Sequence, residues 1–478
     1  MRRTVLILGM ILCGYLSFGQ DSAAISYKKQ YQTQYQAFKD SLDKQYKAFL
    51  NQYWLDYDMF LGEHRNHAPE PNLQPQSDTL DENFESLLSH PVLTPLTVPL
   101  SDSIRVDASA VYKAEIFNFD FYCRKVSISI PIRVSSLALN GIHENNVFRF
   151  WKQLRNENMN MVAVQLLQQK QSMYLNDWGL FDLTQQLCGK IYPHDEATRN
   201  AMTVYLMNLM QYDIRLGRMG GRLCVLVTSN SRLYECPFIE MDGKRYYAVT
   251  LEQKDMKTFS KLRTYARQLP SATKPLDLYL HYSPRIGGCL TSTPYRAIFE
   301  GVKMQIPVNK ALVSFMANYP QTELPVYATA AVEEAMGLEI ENNLRPLVVS
   351  KSTVESVASL LGYVQNGFRY QSDMDQFGKE RTLFCEENFY YQSNDCEDRA
   401  ILFAFLVRRL MQLDVVLLEF KDHVATAVCF GKEKIKGNYY QYQGKKYVVC
   451  DPTTQGAKVG QLTRKYRHQT PNMIIINN

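Results

Sequence analysis

The stretch QSNDCEDRAILFAFLVRRL, residues 392–410, places a cysteine between acidic residues directly before an apolar run. The run is about four helical turns long and predicts a buried α-helix. Asp395 is a suitable cap for this helix, which puts Cys396 in its first turn. The partial positive charge of a helix N-terminus favours the thiolate form of a cysteine there. The neighbouring carboxylates oppose that effect, so a reactive thiol at this place needs a nearby imidazolium.

Two further residues that could complete such a site lie downstream. His423 opens the alternating segment HVATAVCF, and Asp451 ends the segment KKYVVCD directly before Pro452. Both segments read as strands. If they are antiparallel neighbours, the start of one can lie beside the end of the other. The Asp451 carboxylate would then fix the tautomer of the imidazole, and its other nitrogen would face the thiol.

The order of Cys396, His423 and Asp451 on helix, strand and strand resembles the transglutaminase-like cysteine enzyme superfamily. The resemblance covers roughly residues 350–455 and is carried by NDCEDRAILFAFLVRRL, DHVATAVCF and YVVCDPT. The family motif is commonly Gly-Asp-Cys-x-Asp before the helix. Asn394 replaces the glycine here, and asparagine tolerates left-handed backbone angles better than most residues.

The resemblance implies an α+β fold with a papain-like arrangement of one helix against an antiparallel sheet. It also implies that Cys396 attacks a carbonyl, that His423 shuttles the proton and that Asp451 orients His423. Asp395 and Asp398 match the motif and would be structural residues near the site. The superfamily includes proteases, amidases, cross-linking acyltransferases and inactive members, so the match is more specific for the fold than for the reaction.

Gln365, in GYVQNGFRY, lies on a predicted helix (352–368) upstream of the cysteine. Its side-chain amide is a candidate donor to an oxyanion, as donors of this kind stabilise the transition states of acyl transfer. A glutamine on the surface of a helix is the more ordinary interpretation. The sequence leaves both open.

An upstream segment matches the region around the site. Residues 195–252 align with 396–453 in one gapless frame, in which LMQYD meets LMQLD and GKRYYAV meets GKKYVVC. We interpret this as a tandem duplication. In this frame Asp195, Arg222 and Thr250 stand opposite the cysteine, histidine and aspartate. The first copy therefore keeps no member of the triad and is expected to be degenerate.

The domain organisation follows from these patterns and from composition. Tyrosine and phenylalanine at helical spacing predict an amphipathic helix in the N-terminal region, and six prolines among polar residues predict a linker after it. The predicted units are a signal peptide (1–19), an amphipathic helix (25–62), a proline-rich linker (63–104), a degenerate transglutaminase-like unit (105–270), a strand-rich connecting region (271–345) and a transglutaminase-like catalytic domain (346–478).

The N-terminus, MRRTVLILGMILCGYLSFGQ, has a basic start, a short apolar core and small residues before Gln20. This is typical of a cleaved signal peptide, with an uncleaved anchor as the alternative. We therefore expect export to the periplasm or the extracellular space. Ten cysteines are present, and removing Cys13 with the signal leaves an odd number. An odd number in an exported protein implies at least one free thiol. The sequence leaves open whether the others are buried reduced cysteines or a disulfide framework.

Charge and motifs restrict the partners. The net charge is +5 without a basic block, which argues against nucleic acid. No His/Cys cluster has zinc spacing and no acidic loop resembles a calcium hand, so no metal or cofactor is predicted.

Two functions remain. The first is an exported cysteine enzyme acting on amide or peptide bonds of a protein, peptide or peptidoglycan substrate, more by hydrolysis than by amine transfer. The second is a non-enzymatic envelope scaffold or binding protein, with a coiled-coil or envelope partner on residues 25–62.

Overall fold

The computed structural model describes residues 113–250, 262–265, 272–290 and 293–476. The predicted signal peptide, amphipathic helix and proline-rich linker lie outside these residues. The described chain is a mixed α+β protein with antiparallel sheets, as predicted. In this part of the chain no helix combines the length and the apolar character that a membrane span needs.

The first described elements are a hairpin and four helices. Strands β1 (Ala114–Phe121) and β2 (Arg124–Pro131) pair antiparallel. The helices are α1 (Glu144–Arg155), α2 (Met159–Ser172), α3 (Asp177–Ile191) and α4 (Glu196–Leu209). The side chains of Asn176 and Asp195 cap α3 and α4, since each accepts a hydrogen bond from a backbone N–H of the first turn.

A five-stranded antiparallel sheet follows α4. Its strands are β3 (Ile214–Met219), β4 (Arg222–Val227), β5 (Phe238–Met241), β6 (Lys244–Ala248) and β7 (Leu262–Thr264). They lie in the order β5-β6-β4-β3-β7. We call this the first sheet. Helix α4 packs on β3 and β4, which buries the apolar side of the sheet.

The connecting region contains more helix than the sequence predicted. It has one hairpin, β8 (Tyr295–Phe299) with β9 (Val302–Ile306), followed by the helices α5 (Lys310–Met316), α6 (Leu324–Ala328) and α7 (Glu334–Leu344). The Asn309 side chain caps α5, and a proline stands in the first turn of α6. Pro325 lies in the first turn of α6 and starts this helix rather than interrupting a strand, so the prediction of a strand-rich region is wrong for this segment.

The region after residue 352 holds the predicted site. Its helices are α8 (Thr353–Gly367), α9 (Asp373–Phe377), α10 (Cys385–Tyr391) and α11 (Cys396–Met411). Its strands are the short parallel pair β10 (Arg369–Tyr370) and β11 (Ser393–Asn394), then β12 (Val415–Phe420), β13 (His423–Cys429), β14 (Tyr439–Tyr442), β15 (Lys445–Cys450) and β16 (Asn472–Ile475). The last five form the second sheet, in the order β14-β15-β13-β12-β16.

The two sheets have the same strand order, and the pairings among β3, β4, β5 and β6 have the same register as those among β12, β13, β14 and β15. Ile214 pairs with Val227 in the first sheet, and Val415 pairs with Val428 in the second. The pairings of β4 with β6 and of β13 with β15 correspond in the same way. The gapless frame of the sequence alignment therefore holds through these strands. It does not hold at the preceding helices, because α4 begins after Asp195 and α11 begins after Asp395.

Buried apolar side chains of both regions belong to one continuous core. One disulfide, Cys123–Cys289, joins the turn between β1 and β2 to the segment before β8. Among the described residues seven cysteines are reduced, and five of these are buried. The described cysteines therefore give one disulfide together with buried thiols rather than a disulfide framework.

Candidate active site

Cys396 is the first residue of α11, directly after its cap Asp395, as the sequence predicted. The cysteine is half-buried. Its Sγ lies 3.1 Å from Glu397 Oε2, and the backbone N–H of Val424 on β13 donates to the sulfur. The thiol therefore lies against the start of the strand that carries His423.

The surroundings of Cys396 hold its proton in place. Burial raises the pKa of the thiol well above its ordinary value, and the carboxylates of Glu397 and Asp395 raise it further. The hydrogen bond from Val424 acts in the opposite direction but is weaker. The helix N-terminus alone therefore does not produce a thiolate, in agreement with the expectation from the flanking acids.

His423 and Asp451 form a buried pair. His423 Nε2 lies 3.1 Å from Asp451 Oδ2, and the side chains are 8% and 0% exposed. Antiparallel pairing of β13 with β15 brings the start of one strand to the end of the other. An ionised carboxylate can only accept, so the Nε2 nitrogen carries the proton and the lone pair resides on Nδ1.

Asp451 is held by several donors besides the histidine. Its Oδ1 accepts from the backbone N–H groups of Thr453 (3.0 Å) and Thr454 (3.2 Å). Its Oδ2 accepts from the Thr454 hydroxyl at 2.8 Å. Burial by itself would raise the pKa of Asp451. The hydrogen bond and the charge of His423 lower it, as do the hydrogen bonds from Thr454, and together these outweigh burial, so the pKa is lowered. Asp451 is thus ionised at neutral pH.

The plane of the imidazole is fixed by an aromatic contact. The ring of Tyr466 stacks on the His423 ring, with a centroid distance of 4.7 Å and an interplanar angle of 13°. Phe420 lies nearly parallel to the same histidine at 6.3 Å. The imidazole is therefore restrained both by its bond to Asp451 and by packing.

Gln365 lies on α8 and its amide is engaged by the chain that follows Asp451. Its Nε2 donates to the backbone oxygens of Asp451 (3.0 Å), Thr454 (3.0 Å) and Ala457 (3.1 Å). Gln365 therefore anchors the loop that carries Asp451. The oxyanion role remains a prediction, and these bonds occupy the amide hydrogens that the role would need.

Asp398 is buried beneath the first turn of α11. Its Oδ1 accepts from the backbone N–H of Leu383 at 2.7 Å, and its Oδ2 from that of Asp395 at 3.4 Å. These bonds tie the helix start to the segment before α10. The structural role predicted for Asp395 and Asp398 agrees with this placement.

Cys396 and His423 line the same cleft, which has a volume of about 340 Å³. A second cavity of about 490 Å³ adjoins it. The two share four lining residues, Tyr234, Glu235, Gln321 and Glu380. Tyr234 and Glu235 lie between β4 and β5, so the first-sheet region forms part of the cleft wall.

The equivalent positions of the first sheet carry other residues. Glu196 is the first residue of α4, as Cys396 is of α11, and Arg222 opens β4 as His423 opens β13. The Arg222 guanidinium donates to Glu196 Oε1 at 2.9 Å and to Oε2 at 2.7 Å. The Asp195 side chain caps α4 and thus matches Asp395, which corrects the alignment of Asp195 with Cys396 by one residue.

Sequence reasoning missed three contributors to the site. Thr454 had a usable signal, because a threonine soon after an aspartate often bonds its carboxylate in a turn. Glu397 was noted only as a neighbouring charge, and its side chain in fact contacts the sulfur. Tyr466 had no local signal, since it reaches His423 from a distant loop.

Searches for known relatives gave no assignment. No protein-family model matches the chain. No curated protein matches it significantly.

Proposed function

We propose that this protein is an exported cysteine hydrolase of the transglutaminase-like kind, which cleaves amide or peptide bonds through Cys396, His423 and Asp451. The observation that carries the proposal is the buried bond between His423 and Asp451 at the wall of the cleft that Cys396 lines. Nucleophilic catalysis by cysteine needs a histidine that is oriented by a carboxylate and lies within reach of the thiol. The Cys396 thiol is hydrogen-bonded to Glu397 and lines the same cleft as His423, so the reaction requires the thiol to turn from Glu397 to the imidazole.

The bond between His423 and Asp451 assigns the direction of proton transfer. Because Nε2–H donates to Asp451, the Nδ1 lone pair is the acceptor for the Cys396 proton. The resulting imidazolium is stabilised by the ionised Asp451. The nearby carboxylates raise the pKa of the thiol because they repel a thiolate. The positive charge that His423 gains with the proton offsets this repulsion and stabilises the thiolate.

The acyl-enzyme chemistry then follows. The Cys396 sulfur bonds to the carbonyl carbon, and the carbonyl oxygen becomes an oxyanion at the start of α11. The first N–H groups of a helix have no partners inside the helix, so those of α11 are suitable donors to this oxygen. His423 returns the proton to the leaving amine, and it then accepts a proton from the water that hydrolyses the thioester.

The first sheet supports the proposal that the side chains of Cys396 and His423 can contact each other. Glu196 and Arg222 occupy the places that Cys396 and His423 occupy in the second sheet, and their side chains are hydrogen-bonded. The matching strand order and register favour a tandem duplication in which the first copy kept this contact and lost the chemistry.

The cleft favours a chain-like substrate. The reacting residues lie at one end of two adjoining cavities of about 340 and 490 Å³, which together can take several residues of an extended peptide. Export is favoured by the disulfide between Cys123 and Cys289, since such bonds persist in oxidising compartments.

Selective alkylation tests the proposal. Cys429 is the matched control, because it is the other reduced, half-buried cysteine among the described residues. We expect iodoacetamide at pH 7 to modify Cys396 at least about tenfold faster than Cys429, and His423→Ala to remove the difference. Hydrolysis of a fluorogenic peptide pool should disappear in Cys396→Ala and persist in Cys429→Ser.

A scaffold without activity is the second candidate. The Cys396 thiol donates a hydrogen bond to the Glu397 carboxylate, which holds the proton on the sulfur. Slow, equal alkylation of Cys396 and Cys429, with no hydrolysis of any peptide, would favour the scaffold and refute the hydrolase.

A further inference from the structure

The larger of the two adjoining cavities, which we call the side cavity, has a buried carboxylate on its wall. Helix α3 contributes Trp178, Phe181 and Asp182 to the lining of this space of about 490 Å³. Asp182 is only 7% exposed. It does not line the cleft that holds Cys396, so the proposed reaction assigns it no role.

The partners of Asp182 within the described residues are all neutral. The Tyr122 hydroxyl donates to Oδ2 at 2.7 Å, and the Gln186 amide lies 3.3 Å from each carboxylate oxygen. The side chain of Asn318 is a third donor. Burial raises the pKa of Asp182, and these neutral donors only partly oppose it. A positive charge in the side cavity would therefore stabilise the ionised carboxylate.

A second buried acid on the same helix shows how the protein otherwise compensates such a charge. Asp177 lies five positions before Asp182 and forms ion pairs with Lys170 and Lys274. In the described part of the chain no basic side chain forms an ion pair with Asp182. The acid without a cation is thus the one that lines a cavity.

Aromatic rings form another part of the wall. The Trp178 ring lies 5.2 Å from that of Phe181 and 6.0 Å from that of Tyr319, measured between centroids, and all three residues line the side cavity. Aromatic rings attract cations, and a planar guanidinium stacks on them as an ammonium group cannot. Trp178 Nε1 is also buried without a hydrogen-bond partner among the described residues. A buried indole N–H usually has an acceptor, and a peptide carbonyl is one.

The charge around the two cavities is acidic although the chain as a whole is basic. Seven acidic and three basic side chains, besides His423, line the cleft and the side cavity, whereas the net charge of the chain is +5. One of the three basic residues, Arg381, pairs with Glu387, and one of the acids, Asp422, pairs with Lys465. A cavity with this charge attracts a basic segment of a substrate rather than an acidic one.

We propose that the side cavity binds an arginine side chain of the substrate, with the guanidinium at Asp182 and against the aromatic wall. The inference rests on the proposed function, because it takes the bound chain to be the substrate of Cys396. The arginine positions the chain while a peptide bond elsewhere in it lies at Cys396, and its side chain takes no part in the reaction.

Peptide binding to the full chain with Cys396→Ala tests the site without hydrolysis of the probe. The probes are fluorescent alanine hexapeptides in which one residue, moved through all six positions, is arginine, citrulline, lysine or norleucine. Citrulline has the shape of arginine without its charge. Fluorescence anisotropy should give, for one position, a Kd for arginine at least about tenfold lower than for citrulline or norleucine. Lysine should bind more weakly than arginine.

Asp182→Asn in the same background assigns the preference to the carboxylate. The amide keeps an acceptor for the Tyr122 hydroxyl but has no charge, so the Kd values for arginine and citrulline should become similar. Asp120→Asn is the control, because Asp120 is an exposed acid on β1 that lines neither cavity, and it should keep the preference for arginine. Circular dichroism and the Tm verify that each variant is folded.

Equal Kd values for arginine and citrulline at every position would overturn the proposal, and this comparison needs no change at Asp182. So would a preference for lysine over arginine, an arginine preference that Asp182→Asn retains, or no binding of any peptide at about 1 mM. Because the variant with Cys396→Ala is inactive, a failure of the proposed hydrolysis leaves the binding result standing. Hydrolysis by the wild type without any preference for arginine would refute this inference alone.

Discussion

The first and second sheets share strand order and register but differ at the ends of their strands. In the second sheet, His423 and Asp451 form a buried pair at the cleft. In the first, Arg222 binds Glu196 at the surface, and Thr250 accepts from the backbone N–H of Val225 at 2.9 Å. The apolar interior of each strand defines the sheet, so the polar residues at the strand ends can change without changing the frame.

The buried acids of the two regions differ in the same way. Asp177, in the first region, pairs with Lys170 and Lys274. Glu386, in the second region, is buried with its Oε2 lacking a partner within the described residues. Asp177 is therefore compensated by lysines, whereas Glu386 Oε1 accepts from the backbone N–H of Glu333.

The largest expected effect is on catalytic activity, when the residues that open the equivalent strands, His423 and Arg222, are replaced. His423→Ala should lower kcat/KM for peptide hydrolysis by about 1,000-fold or more, because the general base is lost. Arg222→Ala, at the matching place in the first sheet, should leave kcat/KM within about twofold of the wild type. Steady-state kinetics on the same peptide checks both, and similar losses in the two variants would contradict the comparison.

Substitutions at the ends of the equivalent strands, at Asp451 and Thr250, should differ somewhat less in their effect on kcat. Asp451→Asn keeps the size of the side chain but removes the charge that stabilises the imidazolium, so kcat should fall about 100-fold. Thr250→Val should not change kcat, since Thr250 only bonds the backbone of its own sheet. A kcat of Asp451→Asn close to that of the wild type would show that the carboxylate has no role in proton transfer.

The contributions of the two buried acids, Asp177 and Glu386, to the free energy of unfolding should change with pH in opposite directions. Burial would raise the pKa of Asp177, but Lys170, Tyr212 and Lys274 hold it below its usual value. Its contribution to stability is therefore present above about pH 4 and is lost as the pH falls through the lowered pKa. Asp177→Asn should cost about 3 kcal/mol at pH 7, and less at pH 3.

Glu386 reverses this dependence, because burial raises its pKa to about 7. The folded state keeps the proton that the unfolded chain releases near pH 4.5, so its contribution to stability is lost as the pH rises towards 7. Glu386→Gln keeps the acceptor for the Glu333 N–H and should be about 2 kcal/mol more stable than the wild type at pH 8. Urea unfolding across pH 3–8 measures both variants, and parallel pH profiles for the two would refute the assignment.

The smallest effect belongs to the Arg222–Glu196 pair. Its side chains are 44% and 36% exposed, so solvent screens the interaction. A double-mutant cycle with alanine at both positions should give a coupling free energy below about 1 kcal/mol. A much larger coupling would mean that this contact stabilises the first region more than its exposure allows.

The sequence located the local features of the site and not its long-range contacts. The cap at Asp395 and the strand start at His423 depend on neighbouring residues, and the sequence predicts both. The stacking of Tyr466 on His423 and the anchoring of the Asp451 loop by Gln365 join residues far apart in the chain. No periodic pattern reports contacts of that kind.

The one-residue error at Asp195 has a similar cause. The gapless frame followed the strongly patterned strands, where the register is fixed by the alternation of apolar and polar side chains. Helix α11 has 16 residues and α4 has 14, so the helix start lies one residue further from the sheet in the second region, and nothing in the residue pattern marks that difference. The short helices α5 and α6 were missed because packing on the core, rather than helix propensity, stabilises them.

The bond between Cys123 and Cys289 closes a ring that contains every strand of the first sheet and none of the second. An oxidised chain that unfolds is therefore a loop with two linear tails, and only the tails can extend fully; the C-terminal tail includes the whole second sheet. A protease that cuts once between the two cysteines produces two fragments that migrate as a single species until a reductant separates them. A cut in the second sheet releases a fragment at once.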